Sequence, residues 1–61
     1  MIENMDYKDT KSKKMVMVSK FTESEKTTIN LAETLSGIWN KTAYVVRRGN
    51  EFAVFRDMWE Y

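Results

Sequence analysis

Cysteine and histidine are both absent from this chain of 61 residues, and glycine occurs only twice. Without thiols there are no disulfides and no thiolate metal ligands, and without imidazole the commonest other zinc ligand is gone as well. Histidine is also the usual acid or base at neutral pH, so catalysis would fall to carboxylates, lysine or tyrosine, and their spacing does not pair them. The scattered Ser and Thr residues have no base partner, and Gly37 and Gly49 lie too far apart to build a phosphate-binding loop. The sequence therefore predicts no enzyme, no cofactor and no metal.

Two further absences narrow the setting. No apolar run is long enough to span a bilayer, and the first six residues lack the charged-then-apolar pattern of a secretory signal. A cytoplasmic location with no membrane partner is expected, and the glycosylation-type match at Asn40-Lys41-Thr42 carries no weight there. Charge of one sign is also lacking: ten basic and nine acidic side chains leave +1, so no strong global field draws nucleic acid. A chain this short makes one domain that buries a small share of its surface. With disulfides and thiolate metal excluded, self-association is the leading supplement to the core, and a homodimer is expected.

What is present, 43% hydrophobic and 13% aromatic side chains, suffices for a folded core. Residues 1–13 are polar and mixed in charge, ending in Lys8, Lys11 and Lys13, and read as a flexible basic arm ahead of a single domain over residues 14–61. Residues 15–21, with Val16 and Val18 at alternate places, read as a strand. Thr22-Glu23-Ser24-Glu25 has the form of a capping box and starts a helix. Thr28, Leu31, Ala32, Leu35, Ile38 and Trp39 then fall on one stripe, with Ile29 on its flank. The stripe carries the helix past Gly37 to Asn40, its expected cap. Residues 42–48 and 51–57 are strand-like runs separated by Gly49-Asn50, the signal of a tight β-hairpin. A two-residue loop pairs Arg48 with Glu51, Arg47 with Phe52, Val46 with Ala53, Val45 with Val54 and Tyr44 with Phe55.

The expected fold is thus α+β: a small β-α-β-β domain with one helix packed on a three-stranded sheet that ends in a C-terminal hairpin. The face holding Tyr44, Val46, Ala53 and Phe55 is the expected helix side. The opposite face, with Val45, Phe52, Val54 and Met58, is then left uncovered. That imbalance predicts a small non-enzymatic protein-binding module that uses Phe52, Val54, Met58, Trp59 and Tyr61, the last two being aromatics with no place in the core. Its expected partner is another protein, in the manner of the regulators or inhibitors of larger host proteins that phages and mobile elements encode. The alternative is a nucleic-acid-binding protein in which Lys11, Lys13, Lys14, Arg47, Arg48 and Arg56 form a basic edge beside exposed aromatics.

Overall fold

The computed structural model describes residues 1–58. Four strands and two helices follow in the order β1 (Ile2–Asp6), α1 (Tyr7–Thr10), β2 (Met15–Met17), α2 (Glu25–Trp39), β3 (Ala43–Arg48) and β4 (Glu51–Asp57). The fold is α+β: one main helix lies on a mixed sheet of order β1-β3-β4-β2, in which β1 runs parallel to β3 and β4 runs antiparallel to both its neighbours.

The hairpin has the register set by its two-residue loop, with Tyr44 opposite Phe55, Val45 opposite Val54, Val46 opposite Ala53, Arg47 opposite Phe52 and Arg48 opposite Glu51. Gly49 takes φ +60 at the first turn position, where a β-carbon would be strained. The fourth strand is a departure from expectation. Residues 1–13 contain β1 and α1 instead of running as an arm along their whole length, because Ile2 and Met5 each have a place in the core. Their odd spacing sends Ile2 to the cluster under α2 and Met5 to the opposite face. A spacing of three fits one face of a helix better than two faces of a strand, so the sequence pattern does not reveal the strand.

The helix starts at Ser24 and not at Thr22. The Thr22 backbone is engaged with Phe52, donating its N–H at 2.9 Å and accepting at 2.7 Å, so Thr22 is held in the sheet. Ser24 caps instead, its Oγ accepting the Thr27 N–H at 3.3 Å. The far end is as expected: α2 passes through Gly37 and stops at Asn40, which adopts left-handed φ 56 and donates its N–H to the Ser36 carbonyl. A β-carbon added at Gly37 would meet nothing within 4 Å. Gly37→Ala should therefore raise stability by about 1 kcal/mol, read as a Tm higher by roughly 4–8 °C in a thermal melt. An unchanged or lower Tm would show that the helix does not continue through this position.

The buried stripe of α2 is rotated from the expected one. Thr28, Ala32 and Ser36 are buried, flanked by Ile29, Leu35 and Trp39, whereas Leu31 and Ile38 are 38% and 72% exposed. Small side chains four residues apart let the helix lie close on the sheet, and the two buried hydroxyls are satisfied. Thr28 Oγ1 lies 3.0 Å from the Ser24 carbonyl oxygen, and Ser36 Oγ lies 2.8 Å from the carbonyls of both Met1 and Lys41.

The two sheet faces are also exchanged. α2 packs on Ala43, Val45 and Val54, with Phe52 half-buried at the margin. Val46, Ala53 and Phe55 face the other way, under Tyr7 from α1 and Phe21 from the β2–α2 connection. Both connections to parallel strands, β1 to β2 and β2 to β3, cross the sheet, but in opposite directions. A common right hand therefore puts α1 and α2 on opposite faces.

Candidate functional site

The expected binding residues are not on a common open face. Val54 is fully buried beneath α2, and Phe52 is packed against the same cluster. Met58 is 59% exposed at the end of β4, its N–H bonded to the Lys14 carbonyl at 3.1 Å. Trp59 and Tyr61 lie outside the described residues.

The basic set is divided as well. Lys11, Lys13 and Lys14 are exposed in the α1–β2 connection. Arg47 and Arg48 are consecutive in β3 and so point to opposite faces. Arg47 Nε donates to the Gly49 carbonyl at 3.2 Å, and Arg48 pairs with Glu51 at 3.0 Å. Arg56, half-buried, shares the α2 side with Arg47 and donates to the Asp57 carbonyl at 3.2 Å. Arg47 and Arg48 share a shallow hollow at the hairpin end with Lys8, and Lys11 and Arg48 meet in a second one, joined there by Lys20, which the sequence pattern does not single out.

Lys11, Lys20 and Arg48, with Glu51 paired to Arg48, rim this groove of about 680 Å³ on the face away from α2, floored by Met15, Met17 and Phe55 and walled by Tyr7 and Phe21. The two rings meet edge to face, with centroids 5.7 Å apart, and the Arg48 guanidinium lies 3.9 Å from the Phe21 centroid. That stack closes one face of Phe21 to any further ring.

β2 forms the outer border of the groove. It is an edge strand, bonded to β4 on one side only, and α2 packs on β1, β3 and β4 while leaving β2 largely uncovered. Met17 and Val18 are 53% and 38% exposed. Met58 N–H bonds Lys14 O and Val18 N–H bonds Val54 O, so in this antiparallel register the backbone of Val16 also faces β4. The N–H and C=O groups of Met15 and Met17 point outward, away from the sheet. Pairing with β4 resumes past Val18 through a bulge, where Ser19 Oγ accepts the Val54 N–H at 2.9 Å. The bulge turns Phe21 onto the groove side.

The segment that carries this edge is one-sided in charge, although Asp57 lies opposite Met15 on β4 and Glu51, paired with Arg48, lines the groove. Residues 10–22 hold four lysines and no carboxylate, which leaves six basic and nine acidic side chains for the rest of the chain. Lys13, Lys14 and Lys20 form no ion pair among the described residues. That local excess is the sequence signal that would have pointed to β2, and it is diluted in the whole-chain balance.

Other concavities offer less. Between β1 and the start of α2, a hollow of about 370 Å³ gathers Asp6, Asp9, Glu25 and Arg47, and no metal-holding group of three ligands occurs among the described residues. Tyr44 has its phenol pKa pushed above the ordinary value by burial first, then by the charges of Asp57 and Glu3 and its hydrogen bond to Asp57. The shift moves it further from use as a base at neutral pH. No helix among the described residues is long and apolar enough to cross a membrane. Comparison of the chain with protein-family models, curated proteins and solved structures found no match.

Proposed function

We propose that this chain is a non-enzymatic protein-binding module whose contact surface is the edge strand β2 together with the groove beside it. The observation that carries the reading is the uncovered state of β2. Its apolar side chains and outward backbone groups lie beyond the reach of α2, next to a groove lined by Lys11, Lys20 and the Arg48–Glu51 pair. Unpaired strand edges are templates for another chain, and exposed apolar side chains beside them supply the burial that makes such contacts hold. An intracellular setting, expected from the sequence, accompanies this reading.

Binding of nucleic acid is the second reading, favoured by the four lysines around β2. Two features weigh against it. Arg47 and Arg56 lie on the other side of the sheet, and Arg48 already covers one of the two faces of Phe21 that a base could stack on.

Site-specific photocrosslinking separates the two readings. With a photoreactive residue at Met17, a discrete protein adduct should form in the cells that express the chain and survive nuclease. The same residue at Asn30, exposed on the outer side of α2, should give none. Equal labelling from both positions, or adducts that vanish with nuclease, would remove β2 as a protein-binding surface.

A further inference from the structure

We propose that the occupant of β2 is an extended segment of a different protein, apolar at its centre and acidic at its ends, that adds to the sheet as a fifth strand. The inference rests on the binding-module reading above and specifies the chemistry of the partner.

The apolar centre follows from Met15-Val16-Met17-Val18, and the acidic ends follow from the cations that bracket it. Lys13 and Lys14 precede this stretch and Lys20 follows it, all exposed and without ion pairs among the described residues. Strand addition follows from the backbone. Met15 and Met17 direct their N–H and C=O groups outward, two residues apart, which is the repeat an incoming antiparallel strand bonds. Its alternate side chains would enter the groove over Met15 and Met17, where Lys11 and Lys20 meet acidic groups.

A second copy fits less well. Antiparallel self-pairing about Val16 would bring two sets of four lysines together with no carboxylate between them. The β1 edge of another copy offers only Glu3 and Asp6, and that head-to-tail contact does not close on itself.

The test uses the full chain, immobilised and panned against a random twelve-residue peptide library. Enriched peptides should carry a β-branched or aromatic centre between Asp or Glu flanks. The leading peptide, titrated by NMR, should slow hydrogen exchange at the Met15 and Met17 amides. Val16, already bonded to β4, should change little. Reversing two charges with Lys13→Glu and Lys14→Glu, both exposed, should weaken binding on the order of tenfold. Met17→Pro should abolish binding and leave the fold intact, because the N–H it removes faces outward and serves no bond to β4. If that variant misfolds, amide exchange and the lysine variant still decide the matter. Peptides without acidic flanks, or acidic peptides that bind and leave the Met15 and Met17 amides exchanging freely, overturn strand addition while the binding-module reading stands. Failure to enrich any peptide sinks both. Self-association of the chain that blocks the edge replaces the foreign segment with a second copy, and tighter binding of single-stranded DNA than of any peptide replaces it with nucleic acid.

Discussion

Val54→Asp is expected to leave the purified chain unfolded. Val54 is fully buried beneath α2, beside Ala32, Ala43 and Val45, and the nearest cations along the strands, Arg47 and Arg56, lie two residues beyond this cluster on the same face. An unpaired carboxylate there costs several kcal/mol or forces the group to take up a proton. At roughly 0.1 kcal/mol per residue, a domain of this length holds only about 6 kcal/mol in total. The milder Val54→Ala should fold and lose about 2 kcal/mol through the missing methyl groups and the cavity they leave. Circular dichroism and urea titration of both variants check this. A Val54→Asp protein with an unaltered melt would place Val54 on an open surface, as the sequence alone had suggested.

Removing residues 1–6 should be nearly as damaging. The deletion takes away β1, and with it the cover that Ile2 gives the cluster under α2 and that Met5 gives the opposite face. It also bares the edge of β3 and leaves the buried Ser36 hydroxyl without the Met1 carbonyl. A loss of at least about 3 kcal/mol is expected, a fall in Tm on the order of 15 °C for a domain of this size. A flexible arm would leave the melt unchanged on removal, so a shortened chain that melts within about 2 °C of the full one would restore that interpretation.

How much of this was legible in the sequence differs from element to element. The hairpin was, because two residues containing a glycine between apolar runs leave one register open, and Gly49 with Asn50 met that condition. The length of α2 was also legible, since Asn40 is one of the few residues that takes the left-handed cap without strain. Its rotation was not. Leu31 and Ile38 are more apolar than Thr28 and Ser36, yet they lie outside, because the buried hydroxyls find carbonyl partners and small side chains permit the closer approach. Hydrophobic period ranks side chains by transfer from water and contains no record of which carbonyls await a donor.

The candidate site was the least legible part. Lys11, Lys13 and Lys14 were singled out as part of a basic edge, but that Lys13 and Lys14 with Lys20 bracket an open strand depends on β2 lying outermost, next to β4. The sequence by itself determined the α+β class, the hairpin and its pairing, and the presence of one long helix, all of which rest on contacts or periods within a few residues. Only the tertiary structure decided that Ile2–Asp6 is a fourth strand, that α2 covers Val45 and Val54 and not Val46 and Phe55, and that β2 is left at an open edge. Each of these follows from the strand order and from the hand of the crossovers. An alternating strand with apolar residues on both sides fits either face equally well, so the choice between faces is made only when the whole sheet assembles.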